Sequence, residues 1–117
     1  MLPNEFQEEA LRTASDHTYD APHKNMMLEG VLGLCGEAGE AADAVKKTIF
    51  QGHDLDRAHV AEELGDCLWY IAVAAHAIGY ELDTIMQMNV NKLRKRYPNG
   101  FDPQRSIHRE EFEGGVK

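Results

Sequence analysis

The chain has 117 residues, enough for one domain with a real hydrophobic core but too few for two independent ones. Its 20 acidic and 12 basic side chains leave a formal net charge of -8, which argues against a grip on nucleic-acid backbone, where a basic face is expected. A small phosphorylated ligand stays open, because a divalent cation reverses the local sign of an acidic pocket. Two cysteines, Cys35 and Cys67, are too few for a disulfide framework and lie in apolar runs, so both read as reduced core residues.

The N-terminus lacks the basic, apolar and small-residue succession of a signal peptide. The longest apolar run, Cys67 to Ile78, is interrupted by His76 and falls short of the roughly 20 residues of a membrane span. These features predict a soluble cytoplasmic protein with neither membrane nor nucleic-acid polymer as partner.

In chain order, residues 4–14 place Phe6, Ala10, Leu11 and Ala14 at helical spacing, with Asn4 as candidate N-cap. Residues 15–24 show no sustained period and read as a loop containing Pro22. A long helix follows over residues 25–50, ended by Gly52. A third begins after Asp54 or Asp56, either of which caps it, and reaches Ile78 before Gly79.

A fourth helix covers residues 82–96 and stops at Pro98-Asn99-Gly100. With no strand-like alternation, the predicted fold is all-α, an antiparallel bundle of about four helices. Residues 1–100 form a single domain, and 101–117 a polar C-terminal arm or tail.

Gly30, Gly33, Gly36 and Gly39 recur every third residue in the long helix, each costing roughly 1 kcal/mol relative to alanine. Close approach of a neighbouring helix offsets that cost in the structural reading. The functional version adds that close backbones leave room for metal and phosphate.

Glu37 and Glu40 stand three apart, as do Glu63 and Asp66, so each pair shares a helix face. On the long helix, Met27, Leu28, Val31, Leu34, Val45 and Ile49 occupy one arc, and Glu37, Glu40 and Asp43 lie on the other beside Gly33, Gly36 and Ala44. Glu63, Asp66, Tyr70, Val73 and Ala77 form a three-four stripe that turns apolar, which is poor company for solvated acids. Two carboxylates at about 5 Å repel by roughly 3 kcal/mol at an effective dielectric of 20, so the cluster needs cations or protons. An all-carboxylate donor set selects hard ions, magnesium or manganese rather than zinc. The Glu-x-x-His pairs of a di-iron bundle are missing, with Asp56-x-x-His59 a distant relative.

Positive charge concentrates in residues 89–101, which contain Asn89, Lys92, Arg94, Lys95 and Arg96. Such a run suits either a solvated helix C-terminus or phosphate contact. Trp69 reads as core, Glu62 as structural or solvent-facing, and Asp43 as an ion-pair partner of Lys46 or Lys47. The six histidines form no tight metal pattern and are assigned to loops and surface, His59 least firmly because it lies one turn before Glu63.

Gly36-Glu37-Ala38-Gly39-Glu40 followed by Val45-Lys46-Lys47, then Glu62-Glu63-Leu64-Gly65-Asp66-Cys67-Leu68-Trp69-Tyr70, then Asn89-x-x-Lys92-Leu93-x-x-Arg96-Tyr97-Pro98-x-Gly100-Phe101, together resemble the MazG-like all-alpha nucleoside triphosphate pyrophosphohydrolases. The resemblance implies that Glu37, Glu40, Glu63 and Asp66 are metal ligands and catalytic residues, and that Asn89, Lys92 and Arg96 contact the triphosphate, with Lys46 and Lys47 as further charge-stabilising groups. It implies a magnesium-dependent cleavage of a nucleoside triphosphate, often a deoxynucleotide or a non-standard one, to monophosphate and pyrophosphate, manganese being the alternative ion. A dUTP- or dCTP-directed member of the superfamily is the second enzymatic reading, and a helical oligomerisation or regulatory module with a structural ion the non-enzymatic one. The resemblance also implies a homodimer or homotetramer.

Overall fold

The structure is a computed structural model that describes residues 1–14 and 24–109. It resolves into two compact units, Met1–Leu82 and Asp83–Lys117. Five helices are described: α1 (Pro3–Leu11), α2 (Lys24–Phe50), α3 (Arg57–Ala77), α4 (Leu82–Arg96) and α5 (Pro103–Ile107). No strand occurs among the described residues, and no helix is long and apolar enough to cross a membrane. The all-α expectation holds; the predicted loop over residues 15–24 lies outside the described residues except Lys24, which opens α2.

The helix ends follow from local hydrogen bonding. Pro3, lacking an N–H, occupies the start of α1, and Glu5 reaches back to accept from the Leu2 N–H at 2.9 Å. Leu2 is therefore the N-cap, and Asn4 sits inside the first turn with its amide donating to Glu81. Helix α1 stops at Leu11, before the expected Ala14, because the N–H groups of Thr13 and Ala14 turn tightly onto the carbonyls of Ala10 and Leu11. Asp56 caps α3 by accepting from the His59 N–H at 3.0 Å, which decides between the two predicted caps. Gly52 and Gly79 follow α2 and α3 at φ 73° and 82°, the left-handed region where only glycine is unstrained.

In the first unit α2 and α3 pack closely and antiparallel. A Cβ built on Gly30 would lie 2.6 Å from that of Ala74, and one on Gly33 would land on the Tyr70 ring. Gly36 and Gly39 meet nothing within 4 Å, so close approach accounts for half of the glycine series. The pairings run 30 with 74 and 33 with 70, a register that brings 37 towards 66 and 40 towards 63.

Helix α1 is held on α3 by a small core of Ala10, Ala72 and Leu82 with Phe6, Trp69 and Ile71 around it. Gln7 lies inside this contact with both ends of its amide satisfied. Its Nε2 donates to the carbonyls of Ala72 and Tyr80, and its Oε1 accepts from the Leu82 N–H at 3.0 Å. One buried side chain thereby ties α1 to the end of α3 and the turn that follows.

The large apolar arc of α2 is turned away from α3. Leu28, Val31, Cys35, Ala38, Ala42, Val45 and Ile49 are all exposed and alternate three and four apart, the spacing of a coiled-coil seam. The face that meets α3 instead carries Met26, Gly30, Gly33, Ala41 and Ala44, small residues apart from the fully buried Met26.

In the second unit α4 is followed by a turn in which the Tyr97 and Phe101 rings lie 5.3 Å apart and Gly100 takes φ 90°. Residues after Phe101, expected as a polar arm, contain a short helix. Asp102 caps α5 by accepting from the Gln104 N–H at 2.9 Å, with Pro103 at its first position. The Arg105 guanidinium donates to the carbonyls of Arg96 and Lys95, which the end of α4 leaves without helical partners.

Candidate metal centre

The antiparallel register of α2 and α3 sets the site. Glu37 and Glu40 occupy successive turns of α2 on the side facing α3, and Glu63 and Asp66 do the same on α3. One carboxylate oxygen from each of Glu37, Glu63 and Asp66 lies within 4.8 Å of the other two. Glu40 stands outside that triad, although its charge still reaches Glu63.

Glu63 is the buried member, 6% exposed, whereas Glu37 is half-buried and Asp66 exposed. Its Oε2 is buried without a hydrogen-bond partner, and its Oε1 lies 3.6 Å from the His59 imidazole Nε2 one turn earlier. A hydrogen bond shared with Glu37, burial, and the charges of Glu40 and Glu37 raise its pKa to about 7. The folded chain thus holds a proton on Glu63 towards neutrality unless a cation takes its place.

An open cleft of about 280 Å³ adjoins the acids, lined by Glu37, Asp66, Trp69 and Tyr70. Trp69 is half-buried against the α1 core, donates from Nε1 to the Thr13 hydroxyl at 2.7 Å, and meets the Tyr70 ring edge-on at 5.0 Å. The predicted core residue therefore also forms a wall of the cleft. Burial, followed by the charges of Glu37, Glu29, Asp66 and Glu40, pushes the Tyr70 hydroxyl above its usual range, so it remains a proton donor beside the cluster.

Lys46 and Lys47 both pair with Asp43, at 3.0 and 2.9 Å, and these hydrogen bonds hold the Asp43 carboxyl below the usual range. Asp43 thus joins both lysines it was expected to choose between. Asn89 and Lys92 are exposed on α4 in the second unit, and Arg96 at its end is half-buried. Sequence reasoning did not single out Tyr70 as a cleft residue; its place one turn after Asp66 was the available signal.

The donor set fits a hard divalent cation. Three carboxylates converge, and a buried oxygen of Glu63 has no protein partner, an arrangement that cation ligation satisfies and a solvated acidic face does not produce. Glu37, Glu63 and Asp66 would hold the ion, with Glu40 adjacent.

The family model of the MazG nucleotide pyrophosphohydrolase domain matches residues 26–101, a span that takes in nearly all of α2 and the whole of α3 and α4. The Gene 37 protein of Mycobacterium phage L5 is 40% identical over 73 residues, 59% of this chain and 64% of the phage protein. The aligned part thus spans a little under two thirds of that relative. No solved structure matches.

Proposed function

The chain belongs to the MazG nucleotide pyrophosphohydrolase family, and from that premise we propose that it hydrolyses a deoxynucleoside or non-standard nucleoside triphosphate of the cytoplasmic pool to the monophosphate and pyrophosphate, with magnesium, or manganese in its place. The observation that carries this reading is the convergence of Glu37, Glu63 and Asp66 within 4.8 Å, about a carboxylate whose inner oxygen has no protein partner. When bound, the cation supplies neutralisation of the triphosphate's charge and Lewis acidity at its phosphoryl oxygens.

The chain's own groups divide the remaining work. Glu37, Glu63 and Asp66, with Glu40 beside them, hold the ion. The oxygen of a water forms a bond to the α-phosphorus, the bond to the bridging oxygen breaks, and pyrophosphate departs. Glu63 or Glu40 accepts the water's proton. Trp69 and Tyr70 wall the cleft beside the acids. Lys46 and Lys47 counter the charge of the leaving group, and Asn89, Lys92 and Arg96 are the triphosphate-contacting set that the family resemblance supplies.

The same reading includes a second copy of the chain. Its support is the uncovered seam of α2, where Val31 is 46% and Ile49 66% exposed, with Leu64 and Leu68 of α3 also exposed.

A panel of ordinary and modified nucleoside triphosphates, incubated with magnesium and followed by phosphorus NMR, tests the activity. At least one should yield monophosphate and pyrophosphate, and Glu63→Gln should lower that rate by about 100-fold or more while leaving helicity unchanged. Absence of turnover across the panel would favour a helical module that binds an ion without chemistry, and unchanged turnover in Glu63→Gln would remove this site from the reaction.

A further inference from the structure

Among the described residues, the His59 imidazole is placed against one of the four acids, Glu63. Its backbone is fixed, because the His59 N–H donates to the Asp56 cap at 3.0 Å and the residue stands in the first turn of α3. Helical geometry then sets its side chain over that of Glu63, four residues on. The Nε2 to Oε1 separation is 3.6 Å, a few tenths of an ångström beyond a hydrogen bond, and the imidazole is about half exposed.

The groups facing Glu63 across the helix pair are Glu37 and Glu40, and the next turn of α3 brings Asp66. All three are carboxylates, which offer no N–H. His59 does offer one, and it lies at the oxygen opposite the orphaned Oε2. We propose that His59 is a positioning residue for Glu63, donating from Nε2 to Oε1 so that the carboxylate is held with Oε2 free as the donor atom for a divalent cation. Neutral imidazole with its proton on Nε2 suffices for this. The inference rests on the reading of Glu63 as a metal ligand and extends it to a residue that touches neither ion nor nucleotide. Outer partners of this kind orient ligating side chains, and their loss weakens metal affinity by about 10- to 100-fold.

The test uses the full chain and Mn2+ alone, with free Mn2+ read by electron paramagnetic resonance and no nucleotide present. His59→Ala should weaken binding by about tenfold, and His59→Gln, which keeps an N–H donor on a flexible stem, should stay within about threefold of wild type, all with an unchanged melting temperature. In a Glu63→Gln background the His59→Ala change should have no further effect, because the histidine acts through that carboxylate. Wild-type affinity in His59→Ala, equal weakening in His59→Ala and His59→Gln, or additive losses in the double variant would each overturn the positioning role while leaving the metal centre standing. No Mn2+ binding by wild type, or full binding by Glu63→Gln, would overturn the metal centre and the positioning role together.

Discussion

Helix α2 presents two faces built on opposite rules. The face towards α3 carries glycine and alanine around one fully buried methionine, together with Glu37 and Glu40, and it brings two backbones close enough that an added Cβ at Gly30 would meet the Ala74 backbone at 2.9 Å. The opposite face carries Leu28, Val31, Val45 and Ile49 in a three-four seam, and these large side chains are exposed. Ordinary amphipathicity would bury the large residues and expose the small ones. The inversion shows what the inner contact is for: small residues bring α2 and α3 close enough that carboxylates on both reach a common point, and larger ones would hold the acids apart.

The comparison is broken most directly at Gly30. Gly30→Ala gains helix propensity worth about 1 kcal/mol but drives a methyl into Ala74, where neither atom is the end of a flexible side chain. Overpacking should dominate, with a net loss of about 1–3 kcal/mol in chemical denaturation at constant m-value. A neutral or stabilised variant would mean that the helices separate easily and that close approach is not what places the acids.

The outer face is probed by Ile49→Glu, which puts a charge at the C-terminal end of the seam. If a second copy covers this face, the substitution should weaken self-association by about tenfold or more, equivalent to about 1.4 kcal/mol, in sedimentation velocity across a concentration series. Helicity should be unaffected, because Ile49 is 66% exposed within one chain. Assembly identical to wild type would free the seam from any homotypic role.

Much of this layout is legible in the sequence, because its signals are local. Gly52, Asp56 and Gly79 mark helix ends through cap and left-handed geometry, and the i, i+3 acids announce a shared face. Periodicity also divides α2 into an apolar arc and an acidic arc, but it carries no sign saying which arc meets the neighbouring helix. That choice depends on Ala74 and Tyr70, more than 35 residues further along the chain. The same limit hides Gln7, whose partners are backbone groups of Ala72, Tyr80 and Leu82 and leave no side-chain pattern. The α5 helix was within reach, since Asp102-Pro103 is a cap followed by a first-turn proline, yet five residues give too little period to outweigh a polar context. At the acids, spacing gives the two pairs and register gives their meeting; that Glu63 alone is buried follows from packing.

The finest test returns to the glycine series, where the same substitution should change sign within two turns. Gly36 meets nothing within 4 Å, so Gly36→Ala adds a methyl to open space and removes the conformational freedom that glycine gives the unfolded chain. The metal-free variant should be stabilised by about 0.4–1 kcal/mol, read in the same denaturation experiment as Gly30→Ala. Gly39→Ala, equally open, should add to it within a few tenths of a kcal/mol, since neither methyl has a neighbour to share. Destabilisation at Gly36 that appears only at protein concentrations where the chain self-associates would show a second copy pressing on this stretch, and the helix would then have small residues against a neighbour on more than one side. Destabilisation in the dilute chain would instead place Gly36 with Gly30 and Gly33, and the division of the series into a packed half and an open half would fail.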